Sequence, residues 1–178
     1  MRRGYAYVAH QSLVFGRSGA GVSDDSWRGK VGPMGTDEVT AFLAEPIFAR
    51  IAMLDENGWP YVVPVWQEWA DGAFWVIGRK KSAWARHLAA DPRCAVTVDE
   101  DGGQRKVIAQ CEAKLIEEPN VGGRWVEIAE RMSYRYLGEH GPDYLEPTLK
   151  WSRWLFALEP VKVWTWMGND WAPRYKEE

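Results

Sequence analysis

The feature that most constrains this chain is its punctuation. From residue 47 onward, short apolar runs alternate with turn-forming clusters. Ile47 to Leu54 is such a run, and Asp55-Glu56-Asn57-Gly58 closes it. Asn-Gly is a strong hairpin signal, because both residues accept the positive φ that a tight two-residue turn requires. Tyr61 to about Trp69 reads as the next strand, Asp71-Gly72 turns again, and Phe74 to Ile77 makes a third. Taken consecutively, the three predict an antiparallel meander. Strands return at Cys94–Val98 and Lys106–Ile116, joined through Asp99-Glu100-Asp101-Gly102-Gly103. A last pair covers Trp154–Leu158 and Val161–Met167.

Helices fit between these strands. Thr36 can cap a helix reaching Glu45, with Asp37 and Glu38 in the first turn where the dipole favours anions. Val39, Phe42 and Leu43 mark its apolar face, and Pro46 stops it. A short helix spans Ser82–Ala90, before Asp91-Pro92. A longer one runs from about Val121 to Leu137, with Trp125, Ile128, Ala129, Met132 and Tyr136 on one face and Gly138 at the C′ position. Six or seven strands with a few flanking helices predict an α+β domain, mainly β, as a small barrel. At 178 residues the chain is one domain's worth. Residues 1–34, with scattered Gly, Ser and Asp, read as an irregular extension, and 35–178 as a single domain. The glycines at 16, 19 and 21 are no phosphate loop, since no Lys-Ser/Thr follows at the required spacing.

Composition excludes several classes. Twelve tryptophans rule out disorder, and no apolar run approaches the ~18 residues of a membrane span. A net charge of −3 gives no support for a nucleic-acid binder. Cys94 and Cys111 form no CxxC, no His or Cys lies at finger spacing, and no metal site is expected. Met1-Arg2-Arg3 lacks the apolar stretch of an export signal, so a cytoplasmic location with reduced thiols is the expectation.

Three constellations carry possible chemistry. Arg79-Lys80-Lys81-Ser82 lies between a strand and a helix start, where free N–H groups and the dipole favour an anion; a solvated basic turn is the alternative. Pro64, inside the Val63-Pro64-Val65-Trp66 run, cannot donate to a ladder, which places it at an edge, a bulge or a ligand wall. Trp164 and Trp166 alternate onto one face and, with Trp171, could floor a pocket for a planar substrate, fill a core, or build a subunit interface. His10, His87 and His140 have no partner at ligand spacing, and no nucleophile elbow, triad spacing or HExxH motif is present. No catalytic acid or base is assigned, and an enzyme built this way would rely on a cofactor.

In order, these segments resemble a known family. The helix Thr36–Glu45 is followed by Ala49-Arg50-Ile51-Ala52, then Asp55-Glu56-Asn57-Gly58-Trp59-Pro60-Tyr61, Val63-Pro64-Val65-Trp66, the Arg79–Ser82 turn, and His87-Leu88-Ala89-Ala90-Asp91-Pro92-Arg93. The chain is similar to the pyridoxamine 5′-phosphate oxidase-like flavoproteins and their deazaflavin-dependent relatives, over about residues 36–118. The resemblance implies a Greek-key split β-barrel that forms a homodimer with its cofactor at the subunit interface. The cofactor implied is FMN, or alternatively the deazaflavin coenzyme F420. The strand Val63–Trp66 would flank the ring, Gly78 and Arg79–Ser82 would hold the phosphate, and Lys106 would approach from a neighbouring strand. Trp166 and Trp171 would shape the substrate side. Family members often carry Arg-Lys directly after the phosphate-site serine; here Ala83 and Trp84 stand there, and Lys80 and Lys81 offer cations one turn earlier. The residues of a true pyridoxamine phosphate oxidase substrate site are not recognised. The implied function is a flavin-dependent oxidoreductase acting on a small planar substrate, the alternative a non-catalytic binder of flavin, haem or an aromatic metabolite. A tryptophan-platform carbohydrate binder is a third, weaker reading.

Overall fold

A computed structural model describes residues 30–102, 104–172, 175 and 176. The segment 1–29 and its glycines lie outside the described residues. Seven strands form one antiparallel sheet: β1 Ala49–Leu54, β2 Pro60–Val65, β3 Glu68–Ala70, β4 Ala73–Arg79, β5 Arg93–Asp99, β6 Arg105–Asn120 and β7 Arg153–Met167. Their order is β2-β1-β5-β6-β7-β4-β3. Strands β5, β6 and β7 are consecutive neighbours and β4 lies beside β7, which is a Greek-key arrangement.

The first hairpin forms where the Asn-Gly signal places it, but through a longer loop, residues 55–59 between the paired Leu54 and Pro60, and not the tight two-residue turn. Asp55 Oδ1 accepts the N–H groups of Asn57 and Trp59 at 2.8 and 2.9 Å, and Gly58 takes φ +80°. The expected meander does not form. The run read as one strand from Tyr61 to Trp69 breaks at Trp66-Gln67, and its halves become β2 and β3, the two opposite edges of the sheet. The cause is Gln67, which is fully buried. Its side-chain amide donates to the Leu43 carbonyl at 2.8 Å, and its backbone N–H to the Tyr136 hydroxyl at 3.2 Å. Backbone and side chain are thereby taken out of any ladder. Two edges joined by so short a link cannot lie far apart, so the sheet rolls into a barrel that stays open between β2 and β3. This is the split barrel.

A second correction concerns the end of the chain. The expected pair Trp154–Leu158 and Val161–Met167 is one continuous strand, β7. Long pairing with β6 carries it through Glu159-Pro160, and a register shift at Gln110/Cys111 sets Pro160 opposite Cys111 and leaves Val161 as the extra residue.

Helix α1 spans Thr36–Leu43. Gly35, not Thr36, takes the N-cap position, and the Glu38 carboxylate accepts the Gly35 N–H at 2.7 Å. Helix α2 covers Ala83–Ala90, behind Ser82 as N-cap. Helix α3, Trp125–Leu137, starts a turn later than its apolar period suggests. Glu117, on β6, fixes that start by accepting the backbone N–H groups of Arg124 and Trp125 at 3.0 and 3.4 Å. A short helix α4, Gly141–Leu145, follows.

The barrel interior is filled by Phe42, Leu43, Ile51, Val76, Val96, Val107, Phe156 and their neighbours. A second core lies outside the barrel wall. There Trp125, Ile128 and Met132 of α3 cover Trp75 of β4 and Leu155 and Ala157 of β7. Both faces of β4 and of the first part of β7, Leu155–Leu158, are therefore apolar and covered, the pattern of strands with a layer on each side. Residues 30–34 run beside the end of β7, where Gly32 bridges Met167 and Met34 is buried. No helix among the described residues is long and apolar enough to cross a membrane.

Candidate functional site

The outer core ends in a cavity of about 330 Å³ between the barrel and the α3–α4 layer. Edge strand β2 supplies Pro64 and Val65, and Trp66 follows in the link to β3. The β4–α2 turn supplies Arg79 and Ser82, and Met132, Tyr144 and Arg153 close the other side. Pro64 sits where its missing N–H costs nothing, because β2 has no partner on its outer side. Trp66 is held rigidly: its ring stacks on Tyr136 with centroids 4.9 Å apart and planes 4° from parallel, and Tyr144 leans on it at 5.1 Å.

The cationic end follows from strand register. On β4, Trp75, Ile77 and Arg79 share the face turned to the helices, as do Arg153, Leu155 and Ala157 on β7. Arg79 and Arg153 stand directly opposite each other in that register. Arg153 is only 7% exposed. It donates from Nη2 to the Thr148 hydroxyl and its guanidinium lies 5.0 Å over the Trp125 ring, but its buried Nε has no hydrogen-bond partner. Burial pushes its pKa below the ordinary arginine value, and the charge of Arg79 pushes the same way. Arg79 is exposed, 5.2 Å from the Trp151 ring centroid. Neither arginine has a carboxylate partner among the described residues.

The other expected phosphate residues lie differently. Ser82 makes no side-chain capping bond. Lys80 and Lys81 are exposed, and neither lines the cavity. The backbone at Lys80 ties the turn down, its N–H donating to Ser152 at 3.0 Å and its carbonyl accepting from Trp154 Nε1 at 3.3 Å. Gly78 lies beneath α2: a Cβ there would stand 2.8 Å from Ala85 Cβ and 3.1 Å from the Trp84 ring. Trp84, where the family often has a cation, is buried in the barrel core. Val63 packs against that core as well.

Lys106, Trp166 and Trp171 are elsewhere. They line a second cavity, of about 890 Å³, at the far end of β6 and β7. Lys106 pairs with Trp166 across the strands, and Trp164 shares this cavity, as the alternation predicted. Trp166 Nε1 donates to the Asp170 carbonyl at 3.1 Å. No group of three or more metal-ligating side chains occurs among the described residues. The sequence reading missed Arg153, Tyr144 and Met132. Met132 stood on a predicted buried face, but nothing local distinguishes Arg153 from a solvated arginine.

A partly open Greek-key barrel with an aromatic, cationic cavity at its split is the class of molecule that these features define. The sequence matches the family profile described as Pyridoxamine 5′-phosphate oxidase over residues 36–167. This chain belongs to the pyridoxamine 5′-phosphate oxidase family. No curated protein matches it significantly. Among solved structures it is similar to the conserved hypothetical protein Rv2991 from Mycobacterium tuberculosis, at 21% identity and TM-score 0.63, covering 79% of this chain and 88% of that one. It is similar to the heme storage protein HutZ from Vibrio cholerae at 18% and 0.58, covering 74% and 94%. It is also similar to a protein described as an F420 reductase, at 18% and 0.55, covering 74% and 98%. At these identities the likeness is one of fold.

Proposed function

We propose that this protein is a flavin-dependent oxidoreductase, with FMN as cofactor in preference to a deazaflavin. One observation carries the reading: a single cavity joins Pro64 and Val65 of the β2 edge, and Trp66 just after them, to Arg79 and Ser82 before α2. A flavin needs a flat apolar wall for its ring and cations with free N–H groups for its phosphate. The cavity combines the two, and the unpaired Nε of Arg153 suits a group rich in acceptor oxygens. A bound flavin would supply reversible hydride or electron transfer, chemistry that no protein side chain offers. The residues bind and orient. Trp66, pinned against Tyr136, presents a fixed aromatic wall, and the α3–α4 layer covers Arg153 while Arg79 stays at the open side.

The homodimer belongs to this proposal. Ile108, Val163 and Trp164 are 39%, 45% and 39% exposed beside the second cavity, an apolar surface suited to a second copy. Lys106 would then approach the cofactor, and Trp166 and Trp171 would shape the substrate side. The chain would work in the cytoplasm. Purified protein is expected to show flavin absorbance, or to take up added FMN or deazaflavin; uptake of neither refutes the reading. A second reading, a non-catalytic flavin or haem binder, draws on the fold likeness to the heme storage protein HutZ. Reduction of the bound cofactor by NAD(P)H or a reduced deazaflavin, followed by reoxidation by an acceptor, supports the enzyme and excludes the binder.

A further inference from the structure

The larger cavity, about 890 Å³ at the far end of β6 and β7, has aromatic walls built from two segments. Trp164 and Trp166 stand two residues apart on one face of β7, beside Ile108 of β6, and Trp171 and Tyr175 come from the tail. The tail is anchored: the Gly168 N–H donates to the Gln104 carbonyl at 2.7 Å, and Trp166 Nε1 to the Asp170 carbonyl at 3.1 Å. Trp164 and Trp171 are nevertheless 39% and 73% exposed. Open aromatic surface around a cavity of this size is what a small-molecule site leaves uncovered.

The charges decide what fits. Asp170 is matched within the wall: one carboxylate oxygen accepts the Trp171 N–H at 2.7 Å, and the other pairs with Lys176 at 2.6 Å. Lys106 lines the cavity and makes no hydrogen bond, ion pair or ring contact among the described residues. Asp99, opposite it on β5, is engaged by Arg50 at 2.5 Å. One unmatched ammonium therefore stands among indoles. The apolar face of a second copy could cover the indoles, but it would bury that charge unpaired. An aromatic acid suits both, with its rings against the indoles and its carboxylate on the ammonium.

We propose that this cavity takes a planar aromatic carboxylate, and that Lys106 sets the preference for the acid over a neutral molecule of the same shape. Turnover of the acid rests on the flavin reading; its binding does not.

The test is calorimetric titration of the full-length protein, stripped of any bound ligand, with naphthoate and with its neutral counterpart naphthalenemethanol. Wild type should bind the acid about ten-fold tighter than the alcohol, as a charge-assisted contact implies. Lys106→Met should bind the two equally, and Lys106→Arg should keep the preference. Trp171→Ala should weaken both by about two- to ten-fold, the loss of one aromatic contact, and leave the preference intact. Arg79→Gln should change neither, because Arg79 lines the other cavity. No binding by wild type, equal binding of acid and alcohol, a preference that survives Lys106→Met, or one that falls in Arg79→Gln overturns the proposal. The comparison of acid with alcohol in wild type decides alone if Lys106→Met does not fold. An FMN titration separates this site from the flavin reading. Flavin uptake without a preference for the acid rejects the site and leaves that reading standing. Acid binding that depends on Lys106, without uptake of any flavin, rejects that reading and leaves the site.

Discussion

Tyr136→Phe tests the account of why the barrel splits where it does. The Tyr136 hydroxyl accepts the Gln67 N–H at 3.2 Å and donates to the Ile47 carbonyl at 2.8 Å. It thus ties α3 to the link between β2 and β3 and to the entry of β1. Phenylalanine keeps the ring and its stack on Trp66, so the change isolates the hydroxyl. Two backbone groups lose their partner. A buried polar group left unpaired costs about 1–3 kcal/mol. Both sites are only partly buried, which favours the lower half of that range for each, so the loss is about 2–4 kcal/mol. For a chain of this length that lowers Tm by about 4–16 °C. Urea unfolding is the assay, with the slope unchanged and the midpoint shifted. A loss well under about 1 kcal/mol would mean that water replaces the hydroxyl, and the link would then not be held as argued.

Four further outcomes are expected. Gly78→Ala should destabilise by about 1–3 kcal/mol in a thermal melt, because its Cβ would press on Ala85 and Trp84. Alkaline pH should weaken the fold through Tyr136: burial raises its pKa, so the unfolded chain ionises first, near pH ~10, and stability present below that pH falls as pH climbs towards the folded value. Tyr136→Phe should flatten that part of a stability–pH curve. Cys94 and Cys111 face each other across β5 and β6, both buried, with the Cys94 thiol pushed up by its hydrogen bond to Cys111 and by burial; a thiol reagent should label neither until the protein unfolds. Light scattering behind size exclusion should report a dimer, and Trp164→Glu should shift it towards monomer.

Much was legible in the sequence because its signals act over a few residues. Asn57-Gly58 marked the place of a hairpin, since Gly58 accepts the positive φ that its loop requires. The spacing of Trp125, Ile128, Ala129 and Met132 specified a buried helical face, and all four are buried. The turn between β4 and α2 was visible as cations before a capping serine. The ordered set of these short segments also carried the family, which no single one of them could.

Tertiary structure decided the rest. Tyr61 to Trp69 has the composition of one strand, and only burial of Gln67 against Leu43 and Tyr136 divides it between two edges. Glu159-Pro160 looks like a turn, and only the length of β6 carries β7 straight through it. Arg153 looks like any arginine until β7 pairs with β4 and sets it opposite Arg79 beneath a helical layer. Local preference depends on a residue's own backbone and its near neighbours, so a sequence displays it. Pairing partners, burial and the meeting of two like charges depend on which distant segments share space, and that is settled only when the sheet closes.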